Sequence, residues 1–212
     1  MNLPNKLTVS RFVMTGIFVG CMAGGEEYDV LHAPGRAQGW NFAYTAALVL
    51  FLAAVLSDFL DGEIARRRGL ETSFGKLMDP LADKVMMAAG FITLVPLKAI
   101  PAWVVICIIS REFLITGLRL VAASKGLVLP AEKIGKHKTA WQMVTVSYFL
   151  LLLSMMEFQR AGVALHAKEW WWPVWRYGGW TLAGVALVLT LYSGLSYLWR
   201  HRDLIAENDT EA

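Results

Sequence analysis

Residues 58–83 read DFLDGEIARRRGLETSFGKLMDPLAD, and this stretch holds four aspartates inside apolar sequence. Asp58 and Asp61 are three residues apart, Asp79 and Asp83 are four apart, and a short basic segment separates the pairs. Residues three or four apart lie on one face of an α-helix. If two helices meet at the basic segment, Asp61 and Asp79 lie at one depth, and Asp58 and Asp83 lie one turn further in. The stretch therefore predicts a helical hairpin with four converging carboxylates.

Four carboxylates in apolar surroundings indicate a metal site, because they cannot all stay ionised there without cations. A single aspartate in apolar sequence is explained as well by a packing hydrogen bond or a salt bridge. Four at matched depths, with Lys84 as the one basic residue at the same positions, favour metal binding. Oxygen ligands without His or Cys indicate Mg²⁺ or Mn²⁺. Four carboxylates suit two ions, and ions about 3.5–4 Å apart stabilise the attacking and leaving oxygens of phosphoryl transfer.

The composition predicts an integral membrane protein. The 212 residues are 56% hydrophobic with a mean hydropathy of +0.47, too apolar for an ordinary soluble domain. Six apolar runs each approach the roughly 20 residues that cross a bilayer: 7–25, 41–65, 75–97, 101–123, 139–157 and 177–199. We expect an all-α fold of six transmembrane helices in a single domain, 1–212, with residues 3–8 as a short interfacial segment before the first helix.

The distribution of Lys and Arg predicts the orientation of these helices. With the N-terminus inside, twelve of the 20 Lys and Arg residues fall on inside segments and five on outside segments. Arg11 counts among the inside residues, as does the Arg66–Arg68 run. Because cytoplasmic segments are enriched in Lys and Arg, both termini and the aspartate hairpin are expected in the cytoplasm. The larger outside loops are expected at 26–40 and 158–176.

Small residues beside the aspartates fit a phosphate ligand. Gly62, Ala65 and Gly75 leave room where a nucleotide or pyrophosphate approaches the helix backbones. The alternative is close helix packing in the membrane, where small residues are common. Arg66 can pair with phosphate through two parallel hydrogen bonds, whereas its two basic neighbours fit ordinary cytoplasmic flanking residues.

The stretch also resembles a known signature. It matches D-x2-D-G-x2-A-R-x8-G-x3-D-x3-D, the pattern of the CDP-alcohol phosphotransferases, at every fixed position. The resemblance implies a six-helix membrane enzyme, usually a homodimer, that moves a phosphatidyl or similar group from a CDP-linked donor to an alcohol and releases CMP. It implies Asp58, Asp61 and Asp79 as metal ligands and Asp83 as both ligand and catalytic base. The residues that it implies for the CDP site are Gly62, Ala65, Arg66, Thr72 and Gly75, with Asn5 and Thr8 of the N-terminal stretch.

Four further stretches resemble bacterial members of this family. Those enzymes transfer the phosphatidyl group of CDP-diacylglycerol to sn-glycerol 3-phosphate. The stretches are NLPNKLTVSRF (2–12), SREFLITGLRL (110–120), IGKHKTAWQM (134–143) and LTLYSGLSYL (189–198). This resemblance implies the same two substrates and a place in a bacterial inner membrane, with membrane lipid as the donor reservoir. No nucleic-acid partner is expected.

A phosphorylated acceptor requires cations near the metals. The candidates are one arginine near the cytoplasmic end of the fourth helix and three lysines of the cytoplasmic connection predicted at 124–139: Arg119, Lys133, Lys136 and Lys138. Cytoplasmic topology alone also explains lysines in that connection. Arg111 and Glu112 are expected to pair with other intramembrane polar groups, and His137 is expected to be solvated.

Other functions share parts of this pattern. A sister enzyme would use inositol phosphate, serine or phosphatidylglycerol as the acceptor. A membrane prenyltransferase also binds diphosphate and Mg²⁺ through aspartates, but its two acidic motifs typically lie far apart. A divalent-cation transporter would carry acids along its path, yet it needs neither the small residues nor Arg66.

Overall fold

The computed structural model describes the backbone of residues 3–25, 42–68, 73–124, 127, 133–161, 171–200 and 202, and the side chains of most of these. Within these ranges the chain forms α-helices and no strand. The helices are α1 (Leu3–Gly24), α2 (Ala43–Arg68), α3 (Ser73–Leu94), α4 (Ala102–Ser124), α5 (Lys133–Arg160) and α6 (Trp171–Arg200). The all-helical prediction is confirmed. The predicted loop at 26–40 lies outside the described residues.

Helix length and composition separate two of these helices from the rest. Among the described residues, His137–Gln159 and Val174–Arg200 are long and apolar enough to cross a membrane. Val9–Gly24, Ala43–Ser57 and Lys84–Leu94 are shorter apolar stretches. The prediction that all six helices span a membrane is therefore not confirmed.

The N-terminal segment is helical, and two predicted connections are wrong in extent. Residues 3–8 are part of α1, which is continuous from Leu3 because proline is tolerated in the first helical turn. The interfacial position of this segment stays a prediction. The cytoplasmic connection predicted at 124–139 is shorter, since α5 already begins at Lys133. The outside loop predicted at 158–176 is shortened at both ends by α5 and α6, and Pro173 lies in the first turn of α6.

The core lies where α1, α2, α3 and α5 meet. α1 packs on α2 and α3, α5 packs on α2, α3 and α6, and α4 packs on α3 and α6. Phe18 of α1 and Phe51 of α2 are fully buried, with ring centroids 6.1 Å apart. A β-carbon on Gly90 of α3 would lie 2.9 Å from Cγ1 of Val146 on α5, so any side chain there would force Val146 to shift.

A buried carboxylate fixes the start of α2. Glu157 of α5 accepts hydrogen bonds from the backbone N–H groups of Tyr44 and Thr45, both at 2.8 Å, and from Oγ1 of Thr45 at 2.7 Å. The first N–H groups of a helix have no partner within the helix, and the helix dipole favours an anion there. Glu157 therefore acts as a cap supplied by another helix, and it ties α2 to α5.

Candidate functional site

The aspartates of the predicted metal site lie on two helices that contact each other. Asp58 and Asp61 are in α2, Asp79 and Asp83 are in α3, and residues 69–72 connect the two helices. The side chains of these aspartates lie outside the described residues. Among the side chains that are described, no group of three or more His, Cys, Asp or Glu residues could hold a metal ion. The ligand assignments stay predictions.

Described contacts set the register of α2 against α3. A β-carbon on Gly90 would lie 3.4 Å from Cε2 of Phe51, so these two residues are at one level. They are also equally far along the chain from the connection between Arg68 and Ser73, as expected for an antiparallel helix pair. The pairing of Phe51 with Gly90 therefore gives a reference level from which other backbone positions can be counted.

Counting from this level places the aspartates. Asp58 follows Phe51 by seven residues, and Asp83 precedes Gly90 by seven residues. Seven residues of α-helix are two turns, roughly 10 Å, and return to the same face. Asp58 and Asp83 therefore occupy one level, and Asp61 and Asp79 occupy a second level nearer the connection. These backbone positions agree with the matched depths predicted from the sequence.

A polar network lies next to Asp83, between α3, α4, α5 and α6. Lys84 donates a hydrogen bond to Oγ1 of Thr116, and Lys138 forms an ion pair with Glu112. Arg111 lies 3.6 Å from the same Glu112 carboxylate and donates to Oγ of Ser193 at 3.0 Å. The expected pairing of Arg111 and Glu112 with other polar groups is confirmed.

A cavity of about 110 Å³ adjoins this network. Its polar lining comes from Lys84, Glu112, Thr139 and Gln142, and the rest of its wall is apolar, including Met87 and Phe91. Gln142 also donates to Oγ1 of Thr190 on α6 at 3.0 Å. The cavity therefore has a charged end, lined by Lys84 and Glu112, and an apolar interior.

The four residues predicted to bind the acceptor phosphate do not share one environment. Arg119 is exposed on α4. Lys133 and Lys136 lie in the first turns of α5, and their side chains lie outside the described residues. Lys138 is buried, and its charge is balanced by Glu112. The prediction that Lys138 lies in a connection between helices is wrong, because α5 has begun five residues earlier. His137 is exposed, as predicted.

The side chains predicted for the CDP site lie outside the described residues. Asn5 and Thr8 are in α1, Gly62, Ala65 and Arg66 are in α2, and Gly75 is in α3, but none of their side chains is described. Thr72 lies outside the described residues altogether. Their role in donor binding stays a prediction.

Sequence reasoning missed two groups. Arg11 was counted as a cytoplasmic flanking residue, but only 3% of it is exposed. Its place on the buried side follows the helical spacing of Arg11, Thr15, Phe18 and Met22, a signal already present in the sequence. The cross-helix pairing of Lys84 with Thr116 has no such signal, because it depends on how α3 and α4 meet.

Comparison with known proteins adds to this geometry. Residues 1–193 match the CDP-alcohol phosphatidyltransferase family. The chain is 40% identical over 83% of its length to the CDP-diacylglycerol–glycerol-3-phosphate 3-phosphatidyltransferase of Bacillus subtilis, of which it covers 93%. It is 38% identical over 81% of its length to the enzyme of the same name from Treponema pallidum, of which it covers 76%. It is 33% identical over 94% of its length to a probable phosphatidylglycerophosphate synthase of Mycobacterium tuberculosis, of which it covers 81%. The chain therefore belongs to the CDP-alcohol phosphatidyltransferase family.

Proposed function

We propose that this protein transfers the phosphatidyl group of CDP-diacylglycerol to sn-glycerol 3-phosphate, giving phosphatidylglycerophosphate and CMP. The observation that carries the proposal is the similarity, across most of the chain, to bacterial enzymes that bear the name of this reaction. The four aspartates occupy two matched levels of backbone on α2 and α3. This arrangement suits a metal-assisted phosphoryl transfer, so it supports the proposal independently of the comparisons.

The residues of the hairpin fit two divalent cations, Mg²⁺ or Mn²⁺. Two levels of paired carboxylates on facing helices offer only oxygen ligands, which hard cations prefer. Asp58, Asp61, Asp79 and Asp83 would hold the ions. When bound, such ions neutralise charge on the diphosphate and on the departing CMP.

The protein's own residues then handle the donor and the proton. Gly62, Ala65 and Gly75 leave space for the diphosphate, and Arg66 pairs with it, while Thr72, Asn5 and Thr8 complete the donor site. Asp83 takes the proton of the glycerol 1-hydroxyl as general base. That oxygen forms a bond to the phosphorus that carries diacylglycerol, and the bond from this phosphorus to CMP breaks.

Cations near Asp83 support a phosphorylated acceptor. Among the described side chains, Arg111 and Lys138 lie beside the carboxylate of Glu112, and Lys84 donates to Oγ1 of Thr116 in the same network. We place the acceptor phosphate at this end of the site, with Arg119, Lys133 and Lys136 providing further positive charge at the cytoplasmic ends of α4 and α5. Such charge-assisted hydrogen bonds are about twice as strong as neutral ones.

We further propose a multi-pass protein of the bacterial inner membrane, with both termini and the site in the cytoplasm. Large apolar side chains are exposed on every helix, for example Val13, Leu56, Ile92, Ile106, Leu151 and Leu195. Soluble proteins rarely expose so much apolar surface, whereas lipid tails cover it without penalty. The acyl chains of the donor would lie between the helices, and a homodimer is proposed from the family alone.

CMP release from CDP-diacylglycerol in detergent tests the reaction, with a panel of acceptors in parallel assays. We expect Mg²⁺-dependent release with sn-glycerol 3-phosphate and little with plain glycerol. Release that is fastest with inositol phosphate, serine or phosphatidylglycerol would instead assign the alternative, a sister enzyme with another acceptor. No release with any acceptor would contradict the proposed class of reaction.

A further inference from the structure

Arg11 lies on the buried face of α1. Arg11, Thr15, Phe18 and Met22 are 3%, 5%, 0% and 6% exposed, and their spacing of four, three and four residues defines one helical face. A residue that merely marked the cytoplasmic side would extend its charge toward water. The guanidinium of Arg11 instead belongs to the face that packs on α2 and α3.

The contacts of this face with α2 form a regular series. A β-carbon on Gly25 would overlap the ring of Tyr44, and the rings of Phe18 and Phe51 pack at 6.1 Å. From the first pair to the second, the position moves seven residues back along α1 and seven residues forward along α2, as in an antiparallel pair. The next step of seven brings Arg11 level with Asp58.

The contact with α3 gives the same level. Oγ1 of Thr15 donates a hydrogen bond to Sδ of Met86 at 3.8 Å. Because α1 and α3 both run antiparallel to α2, they run parallel to each other. Arg11 is four residues before Thr15, and the residue four before Met86 is Ala82, which is fully buried beside Asp83. Two neighbouring helices therefore place Arg11 at the level of Asp58 and Asp83.

A buried guanidinium requires an anion or several acceptors, because an uncompensated charge inside a protein is strongly destabilising. Among the described side chains the acids are Glu112 and Glu157. Glu112 pairs with Lys138, and Glu157 caps α2 at its far end. The acids at the level of Arg11 are those of the predicted metal site.

We propose that Arg11 is a positioning residue of this site, whose guanidinium pairs with the carboxylate of Asp58. The pair offsets the repulsion between Asp58 and Asp83 in the metal-free protein and holds Asp58 oriented for metal binding. Arginine suits this role because its planar guanidinium binds a carboxylate through two parallel hydrogen bonds. The inference rests on the proposed metal site, and it assigns to α1 a part in that site beyond the donor residues.

A double-mutant cycle in metal-free protein tests the pairing. The unfolding temperature is measured in detergent with EDTA for wild type, Arg11→Met, Asp58→Asn and the double variant. Each single change removes the proposed partner of a buried charge, so each should lower the unfolding temperature by roughly 5–15 °C. In the double variant both charges are gone, and at least half of the summed loss should be recovered. Arg11→Lys should lose less than Arg11→Met.

The matched control removes the guanidinium of Arg111, whose side chain is 12% exposed. Arg111→Met breaks contacts to Ser193 and Glu112 instead, so its loss should add to that of Asp58→Asn without recovery. Additive losses for Arg11→Met and Asp58→Asn would overturn the pairing. If Arg11→Met protein is not recovered, the same cycle is measured with Arg11→Gln, and additivity there overturns it equally. The cycle needs no turnover, so an inactive wild type with intact coupling would contradict the proposed reaction and leave the pairing standing.

Discussion

Gly90 approaches Phe51 so closely that a β-carbon on Gly90 would lie 3.4 Å from the phenylalanine ring, and 2.9 Å from Cγ1 of Val146. This contact joins α3 to α2 and α5 at one level. Because positions 58 and 83 lie two turns from it along their helices, the contact sets the level at which these two backbone positions lie. Glycine at this position is therefore tied to the geometry of the site.

Gly90→Ala should destabilise the protein and reduce activity. The new methyl group meets Val146 and Phe51, and overpacking of this kind costs about 1–3 kcal/mol. Gly117→Ala is the matched control, because a β-carbon there would meet no atom within 4 Å and alanine favours a helix. Thermal unfolding of both variants in detergent checks the prediction. Equal unfolding temperatures for the two variants would contradict the close approach.

Asp79→Asn should remove most of the stabilisation that Mg²⁺ gives the folded protein. A ligand at about 100 times its dissociation constant adds about 2.7 kcal/mol, or roughly 5–11 °C in the unfolding temperature of a protein this size. Glu157→Gln is the control, since it changes a carboxylate at the far end of α2 and should keep the Mg²⁺ shift. An unchanged Mg²⁺ shift in Asp79→Asn protein would show that Asp79 is not a ligand.

Asp83→Asn should bind CDP-diacylglycerol but lose turnover. The amide oxygen can still coordinate weakly, but it cannot accept a proton, and loss of a general base lowers rates by about 10²- to 10⁴-fold. Binding of the donor and CMP release are measured on the same purified, Mg²⁺-saturated sample. A kcat near that of the wild type would exclude Asp83 as the base.

Lys136→Ala and Arg119→Ala should each weaken acceptor binding and spare the donor. A hydrogen bond to a charged group contributes roughly 1.5–3 kcal/mol, which is about ten- to a hundredfold in affinity. We expect kcat/KM for sn-glycerol 3-phosphate to fall by that factor while KM for CDP-diacylglycerol moves little. His137→Ala is the control, because His137 is exposed in the same helical turn as Lys136. Wild-type kinetics in both variants would contradict a role in acceptor binding. These cations would then serve only to set the orientation of the helices in the membrane.

Glu157→Ala should destabilise the protein more than Gln159→Ala, its exposed neighbour. The substitution leaves the N–H groups of Tyr44 and Thr45 without their acceptor inside the protein. Buried donors without a partner cost about 1–3 kcal/mol each. Hydrogen exchange at the start of α2 should also accelerate. Unchanged protection of these amides would argue against the cap.

The helices were predictable because each depends on local sequence. Six apolar runs of suitable length gave six helices, and the spacing of Asp58, Asp61, Asp79 and Asp83 predicted the hairpin that connects α2 to α3. The starts and ends were less predictable. A lysine cluster suggested a cytoplasmic connection up to residue 139, although the residues from Lys133 onward contain no proline and join α5 despite Gly135.

Residues that act between helices were harder to find. Counting Lys and Arg places Arg11 and Lys138 on inside segments and gives no information on their burial, yet both are buried. The spacing of Arg11 with Thr15 and Phe18 already indicates that Arg11 lies on the buried face of α1. The burial of Lys138 depends on which helices pack against it, and no pattern within one helix reports that. The same holds for Glu157, whose partners are more than a hundred residues away in sequence.

The most direct test of the account is the transfer of labelled sn-glycerol 3-phosphate into lipid by the purified protein. The protein is incubated with CDP-diacylglycerol and Mg²⁺ in detergent, and labelled lipid and CMP are measured in the same sample. We predict one labelled lipid molecule for each CMP released, with the label in phosphatidylglycerophosphate. Asp83→Asn protein should form this lipid about 10²- to 10⁴-fold more slowly. CMP release without label in lipid, or label in lipid without CDP-diacylglycerol, would contradict the proposed reaction.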